Sequence, residues 1–216
     1  FQITGPSVNG EYTTDSNGKI LINNVRPGNY TIKETSMPHY GYNATATGNV
    51  NITSGKCSTS TIKNTKQTGN LKIHKQNEDN GKALSGFSFK ISDASGNYII
   101  AVDSSGVKKK VTGNIRLTNM QKTANPSEAT EFTTDDNGDI GIYNMLTGTY
   151  RIIETSVGNN IYFEVDNNYI SWSSNKGSGR GNTAVVEIGR QTSVNTGSTT
   201  NGNVNLVTIK NRQKYI

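Results

Sequence analysis

The sequence predicts an all-β protein made of two tandem β-sandwich modules. Apolar residues occur in short alternating runs such as Ile20-Leu21-Ile22 and Tyr150-Arg151-Ile152, and this alternation is typical of half-buried strands. Gly, Asn, Ser and Thr separate the runs, as they do in tight turns, and no long segment has helical periodicity. One block of sequence also occurs twice, which indicates two modules of the same architecture.

The repeated block covers residues 12–36 and 132–156, which align without a gap at an offset of 120. Fourteen of the 25 aligned positions are identical. A second match follows in each copy, because residues 61–64 and 208–211 both read Thr-Ile-Lys-Asn. The two modules therefore share a middle and an end.

Repeat spacing and composition set the predicted module boundaries. The first module covers residues 1–64 and the second covers residues 71–211. A polar linker at 65–70 joins them, and residues 212–216 form a linker to a following module. We therefore expect this chain to be part of a longer protein.

The second module is enlarged by insertions at about 98–131 and 157–205. Within the second insertion, residues 169–172 and 184–188 have the composition of additional strands. The Gly-rich stretch 177–181 between them is predicted to be a flexible loop.

Each copy of the repeated block begins with a hairpin turn, Asp15–Gly18 or Asp135–Gly138, in which glycine supplies a positive φ. The second of these is not an EF-hand loop, because that loop needs Gly at its sixth position and Glu at its twelfth. The two histidines, His39 and His74, lie apart from any cluster of metal ligands. We therefore expect neither a metal site nor a cofactor.

A strand is expected directly after each turn. Its isoleucines, Ile20 and Ile22 in one copy and Ile140 and Ile142 in the other, occupy every second position. They should therefore lie on one face of the sheet and point into the core.

Four polar residues are predicted to lie on the same strand face as the apolar residues two and four positions before them. Glu34 and Glu154 each end a Tyr-x-Ile-x-Glu stripe, Lys75 ends a Leu-x-Ile-x-Lys stripe, and Asn211 ends a Val-x-Ile-x-Asn stripe. Charged groups are rarely buried without a partner or a purpose, so we expect Lys75, Glu154 and Asn211 to meet in the second module. Taken one at a time, each residue could have a purely structural role. Lys75 could face solvent at a sheet edge, Glu154 could pair with a nearby cation, and Asn211 could be a turn residue.

A lysine, a carboxyl group and an asparagine enclosed in an apolar core suit one reaction. Burial lowers the pKa of a lysine and raises that of a glutamate, because both charged forms lose hydration. The neutral amine can attack the asparagine carbonyl while the protonated acid polarises that carbonyl and shuttles protons. The product is a Lys–Asn isopeptide bond with release of ammonia. It forms once, without turnover, so we do not expect an enzyme.

Five segments in this order resemble a known family: GNLKIHK, GFSFKISDASGN, FTTDDNGDIGI, GTYRIIETS and VTIKN. They are similar to the collagen-adhesin B-type (SpaA-like, prealbumin-like) domains of Gram-positive surface adhesins and pilins, over residues 1–64 and 70–211. The resemblance implies two Ig-like or prealbumin-like β-sandwiches. It also implies a bond between the lysine of the first strand and the asparagine of the last, assisted by a glutamate, which here are Lys75, Asn211 and Glu154.

For the first module the resemblance implies Glu34 as the assisting acid and Asn64 as the bond partner. No lysine-bearing first strand precedes them, so this module is expected to lack its first strand. That strand either lies upstream in the precursor or is supplied by another chain. Asn64 can form a bond only if a lysine reaches it from there.

Charge and cysteine content argue against several other classes. The formal charge is +6, and the one dense run, Lys108-Lys109-Lys110, has no neighbouring aromatic or arginine cluster, so we expect no nucleic-acid partner. Cys57 is the only cysteine, which excludes an intrachain disulfide and fits a Gram-positive surface protein as well as a cytosolic one. No stretch is apolar enough for insertion into a membrane.

The resemblance implies a structural stalk or backbone module of a bacterial cell-surface adhesin or pilus-like fibre. The protein would be extracellular and anchored to the cell wall through regions outside this chain. Its partners would be neighbouring modules of the same polypeptide and further subunits of the fibre. Two alternatives stay open: an adhesin region that binds host matrix protein or glycan through Trp172, Tyr169 and Tyr162, and an accessory β-module of a secreted carbohydrate-active enzyme.

Overall fold

The computed structural model describes residues 1–36, 46–189 and 205–214. The chain divides into two units, Phe1–Lys66 and Gln67–Ile216. Every regular element of the described residues is a β-strand, which confirms the predicted all-β class. Within these ranges, no helix is long and apolar enough to cross a membrane. His39 lies outside the described residues.

The first unit contains one antiparallel sheet with the strand order β2-β1-β3-β4. The strands are Gln2–Thr4 (β1), Asn9–Glu11 (β2), Gly28–Lys33 (β3) and Thr47–Ile52 (β4). Its small buried core is formed by Ile3, Val8 and Tyr30.

The second unit has fourteen strands in the part of the chain described. They are Thr68–Asn77 (β5), Ser88–Asp93 (β6), Tyr98–Asp103 (β7), Gly106–Lys108 (β8), Lys110–Thr112 (β9), Asn114–Arg116 (β10), Asn119–Thr123 (β11), Glu131–Thr133 (β12), Asp139–Leu146 (β13), Gly148–Ser156 (β14), Ile170–Ser174 (β15), Gly177–Arg180 (β16), Thr183–Ile188 (β17) and Asn205–Asn211 (β18).

These strands form two sheets. One has the order β10-β13-β5-β18-β15-β16, so β5 and β18 lie at its centre and run parallel to each other. The other is built on β6, which pairs with β7, β12 and β14, while β17 pairs with β14. Apolar side chains from both sheets, including Ile73, Phe89, Phe132 and Ile152, pack into one core.

Alternation along β5 places its side chains as the sequence pattern predicts. Ile73 and Lys75 are buried, whereas Lys72 and His74 point to the other face. There Lys72 Nζ lies 2.9 Å and His74 Nδ1 2.7 Å from the carboxylate of Asp139 on β13. Alternate side chains of β5 therefore face the core, and Lys75 is among them.

The repeated block has the same local conformation in both units at its asparagine and tyrosine positions. Asn24 and Asn144 have left-handed φ values of 58° and 64°. Tyr30 and Tyr150 each donate a hydroxyl hydrogen bond to the backbone carbonyl four residues earlier, at 2.8 and 2.7 Å. At these two positions the sequence identity of the copies extends to backbone conformation and to a side-chain hydrogen bond.

The prediction of a strand around Ile20 and Ile22 is wrong, and residues 61–64 form no strand either. Their counterparts in the second unit, β13 and β18, both pair with β5. In the first unit β1 pairs with β3 as β6 pairs with β14, so β1 corresponds to β6. Among the described residues of this unit no strand corresponds to β5, so residues 20–22 and 61–64 have no such strand to pair with.

Two predicted connections differ from the structure. The linker at 65–70 is too long, because β5 begins at Thr68, where Thr68 and Gly69 pair with the far end of β13 beyond a bulge. Residues 212–214 are attached to the second unit and are not a free linker. Arg212 N donates to Tyr169 O at 2.9 Å, and Lys214 N donates to Tyr162 O at 3.0 Å.

The insertions add strands to both sheets. The first contributes β7 to β11 and the second contributes β15 to β17, which include the two strands predicted from composition. The predicted loop at 177–181 is wrong, since β16 pairs with β15 there. The Trp172 indole lies across Gly179, where a Cβ would come within 2.9 Å of the ring, so glycine allows the aromatic side chain to cover this strand.

Candidate functional site

Lys75, Glu154 and Asn211 meet in the core of the second unit. Lys75 lies on β5 and Asn211 at the end of the adjacent parallel strand β18, while Glu154 comes from β14 in the other sheet. Lys75 Nζ donates a hydrogen bond to Asn211 Oδ1 and lies 3.0 Å from Glu154 Oε2. Asn211 Nδ2 donates to Glu154 Oε1 at 2.6 Å. Amine, amide and carboxylate thus form a closed ring of contacts.

The site is sealed from solvent. Lys75 and Asn211 are 0% exposed and Glu154 is 1% exposed. The Phe87 ring centroid lies 5.1 Å from Lys75 Nζ, so an aromatic face borders the amine. Water therefore competes neither for the polar contacts nor for a reactive carbonyl at this place.

Burial makes the Lys75 amine a better nucleophile than an exposed lysine. Loss of hydration lowers the pKa of Lys75 to about 8, and the charge and hydrogen bond of Glu154 oppose part of that shift. A larger fraction of the amine is consequently neutral at physiological pH than for a lysine in water.

Backbone hydrogen bonds hold Lys75 and Asn211 in place. Lys75 N donates to Gly138 O at 2.7 Å, Leu84 N donates to Lys75 O at 2.9 Å, and Glu78 N donates to Asn211 O at 2.8 Å. Gly138 has a φ of +73°, and a Cβ at this residue would come within 2.5 Å of Lys75 O. The turn glycine of the repeat therefore also leaves room for the lysine strand.

These supporting contacts could not be predicted from the sequence. The hairpin turn predicts a positive φ at Gly138, but not its contact with the Lys75 backbone. Phe87 stands in the quoted segment GFSFKISDASGN, but nothing in the sequence indicates that its ring faces the Lys75 amine.

The first unit contains the carboxylate and the amide of this arrangement, in Glu34 and Asn64. Asn64 Nδ2 donates to Glu34 Oε1 at 3.0 Å, which repeats the contact between Asn211 and Glu154. Glu34 is 6% exposed, and its Oε2 atom has no hydrogen-bond partner among the described residues.

The other charged motifs have local partners. Asp135 Oδ1 accepts hydrogen bonds from the backbone N–H groups of Asn137 and Asp139 at 2.9 and 3.0 Å, as expected for a hairpin turn. In the lysine run, Lys108 lies 3.2 Å from Asp103 and Lys110 lies 3.2 Å from Glu131. The described residues contain no group of three or more His, Cys, Asp or Glu side chains that could hold a metal ion.

An open groove of about 400 Å³ lies along β15 and β16. It is lined by Glu78, Ser171, Trp172, Ser173, Ser178, Gly179, Arg180, Thr208 and Lys210. Trp172 is partly buried against the core. Of the other aromatic residues considered for binding, the Tyr169 ring centroid lies 5.8 Å from the Arg212 guanidinium, and Tyr162 is 51% exposed.

Two β-units, one of them with a lysine and an asparagine on adjacent first and last strands, define the chain as a prealbumin-like β-sandwich protein. The model of the SpaA family, described as a prealbumin-like fold domain, matches residues 1–66 and 69–183. The chain therefore belongs to the SpaA family of prealbumin-like fold domains, which confirms the resemblance drawn from its motifs. No curated protein matches it.

Solved structures of pilins are similar to this chain. The C-terminal domain of shaft pilin SpaA from Lactobacillus rhamnosus GG is 18% identical, with a TM-score of 0.48, over 69% of this chain and 100% of that one. The longer shaft pilin SpaA is 20% identical, with a TM-score of 0.48, over 94% of this chain and 70% of that one. The group B streptococcus pilus 2b backbone protein is 17% identical, with a TM-score of 0.46, over 87% of this chain and 53% of that one.

Proposed function

We propose that this chain is a structural stalk or backbone segment of a bacterial cell-surface adhesin or pilus-like fibre. A single-turnover isopeptide bond between Lys75 and Asn211, assisted by Glu154, stabilises its second unit. The observation that carries the proposal is the sealed ring of contacts among these three side chains. Membership of the SpaA family supports the extracellular, cell-surface location and the role in a fibre.

The reaction balances with the groups present. The Lys75 ammonium gives a proton to Glu154 through Oε2, and the free amine attacks Asn211 Cγ. Glu154 passes a proton to Nδ2 through Oε1, the Cγ–Nδ2 bond breaks, and ammonia leaves. Nζ keeps one hydrogen as an amide nitrogen, so it also loses one more proton, which the ammonia takes up to leave as ammonium. Glu154 is then a carboxylate again. Because the fold holds all three groups in contact, attack is effectively unimolecular.

The bond would change how the unit carries tension. Force applied along the chain enters at the start of β5 and leaves at the end of β18, which are adjacent parallel strands. With the bond formed, force passes from Thr68 to Lys75, across the new amide, and out at Asn211. Residues 76–210 are then outside the loaded path, so the unit cannot be pulled open. This is the property that a stalk requires.

Single-molecule stretching of the full chain tests this function. The wild-type second unit should give no unfolding step. Lys75→Met, which removes the nucleophile but keeps a long apolar stem, should release residues 76–210 and lengthen the chain by roughly 450 Å. A wild-type chain that extends by this length would refute the proposed load path.

The groove along β15 and β16 favours a second candidate function, the binding of a host glycan or matrix protein. Glu78 Oε2 is buried and has no hydrogen-bond partner among the described residues, although Ser171 Oγ donates to Glu78 Oε1 at 3.0 Å. Trp172 supplies an aromatic wall at the same place. Binding on a glycan or matrix-protein array that Trp172→Ala abolishes and Lys75→Met leaves intact would support adhesion. Absence of binding on both arrays would remove it.

A further inference from the structure

The loop between β14 and β15, residues 157–169, begins and ends close to the three side chains of the site. It follows the strand that carries Glu154, and it leads into Ile170, which pairs with Asn211. The β14–β15 loop therefore connects a strand that holds one reacting residue to a strand that pairs with another.

Phe163 is the residue of this loop that points inward. Its neighbours Ile161 and Tyr162 are 72% and 51% exposed, whereas Phe163 is 6% exposed. The Phe163 ring packs edge-on against Phe87, with the ring centroids 5.7 Å apart and the planes at 72°. Because the Phe87 ring centroid lies 5.1 Å from Lys75 Nζ, Phe163 supports the aromatic ring that borders the amine.

A second contact holds the start of the loop against the same segment. Gly158 has a φ of +62°, and a Cβ at this residue would come within 2.6 Å of Gly86 O, directly before Phe87. Val157 packs against the core of the unit. The loop thus contacts the Gly86-Phe87 segment at two of its residues, and glycine allows the closer of these contacts.

The residues after β18 hold the loop from its other side. Lys214 N donates to Tyr162 O at 3.0 Å, and Arg212 N donates to Tyr169 O at 2.9 Å. The Lys214 side chain also forms an ion pair with Glu164. Both sides of Phe163 are therefore attached to a segment that directly follows the reacting asparagine.

We propose that Phe163 is a positioning residue for the bond between Lys75 and Asn211. It does not touch the reacting atoms, but acts through Phe87 by keeping water away from the amine. The inference rests on the proposed function, since it assigns to the β14–β15 loop the closure that this reaction needs.

The physical effect follows from the charges at the site. Glu154 on β14 is the charged group in contact with Lys75, while Asn211 on β18 and Phe87 are neutral. Water beside the amine would stabilise the ammonium and carboxylate over the neutral amine and acid that react. Loss of hydration is the main cause of the lowered pKa of Lys75, so entry of water should raise that pKa towards its ordinary value.

The test compares the full wild-type chain with Phe163→Ala. Both are refolded at a series of pH values, and loss of ammonia is followed by intact mass over time. Phe163→Ala should form the bond about tenfold more slowly near neutral pH, and the pH above which the rate falls should increase by about one unit. Phe163→Leu leaves a smaller cavity. It should show both changes to a lesser extent, and it provides the readout if the alanine variant does not fold.

Two variants serve as controls. Leu117→Ala removes a buried core side chain beside Tyr143, towards the Leu71 end of β5, so it should lower stability without changing the pH dependence. Ile161→Ala, at an exposed position of the same loop, should behave as the wild type.

The pH dependence separates a positioning role from a purely structural one. An unchanged pH dependence in the folded Phe163 variants, or an equal change in Leu117→Ala, would overturn the inference and leave the proposed bond intact. A wild-type chain that loses no ammonia would overturn the proposed function and this inference together.

Discussion

Lys75 Nζ lies 3.0 Å from Glu154 Oε2, and neither side chain reaches solvent. A buried ion pair seldom stabilises a fold as much as packed apolar groups would, because both charges lose their hydration. Conversion of the lysine to a neutral amide, as proposed above, would remove the buried cation.

Replacement of the acid should block bond formation without changing the shape of the site. Glu154→Gln keeps the size of the side chain but cannot accept a proton from the amine or pass one to the leaving group. We expect the folded variant to keep its full sequence mass in an intact-mass measurement. Glu187→Gln, at a half-exposed position paired with Lys176 at 3.1 Å, is the matched control and should still lose ammonia. Ammonia loss in Glu154→Gln would contradict the proton-relay role.

Loss of the bond should lower thermal stability. The bond would join residues 136 positions apart, and a crosslink closing such a loop contributes about 5 kcal/mol in the chain-entropy description. For a unit of this size that corresponds to a fall in Tm of roughly 10–20 °C in Lys75→Met, measurable by scanning calorimetry. Lys72→Met, on the outer face of the same strand, should change Tm by only a few degrees. Equal effects of the two variants would contradict a crosslink.

Bond formation should slow above a pH of about 8. The proposed steps start from the Lys75 and Glu154 pair with one shared proton, which Glu154 later passes to the leaving group. Burial lowers the pKa of Lys75 to about 8, so the pair loses that proton above this value. The rate should therefore change little just below that pH and fall about tenfold per pH unit above it. The chain can be purified unfolded, refolded at a series of pH values and followed by mass over time. A rate that keeps rising above the pKa of Lys75 would contradict the proton relay through Glu154.

The two turn glycines offer a comparison within one chain. Gly18→Ala and Gly138→Ala both place a side chain at a positive φ, which costs about 1 kcal/mol. Only Gly138→Ala also meets the Lys75 carbonyl, so it should destabilise its unit by clearly more and slow the bond. Denaturant unfolding and refolding mass measurements give the two readouts. The Gly18 variant should leave the mass change of the second unit unaffected.

The sequence predicted the site better than it predicted the sheets. Strand alternation was enough to place Lys75, Glu154 and Asn211 inward, because the side-chain period of a strand depends only on the local sequence. The state of Ile20 and Ile22 depended on whether a distant strand was present to pair with them. The β16 strand was missed because its Gly-Ser composition is typical of a loop, whereas in the structure it pairs with β15 and lies under the Trp172 ring. Strand pairing and the packing of a side chain over a neighbouring strand depend on residues far apart in the sequence, so a short segment does not predict them.

High-resolution intact mass of the folded full chain, followed by tandem spectra of its proteolytic peptides, is the most direct test of the bond between Lys75 and Asn211. We expect a mass one ammonia below that of the sequence and a branched peptide that joins these two residues. Lys75→Met should have the full mass of its own sequence. A wild-type chain that is folded, at its full sequence mass and without such a branched peptide would contradict the account.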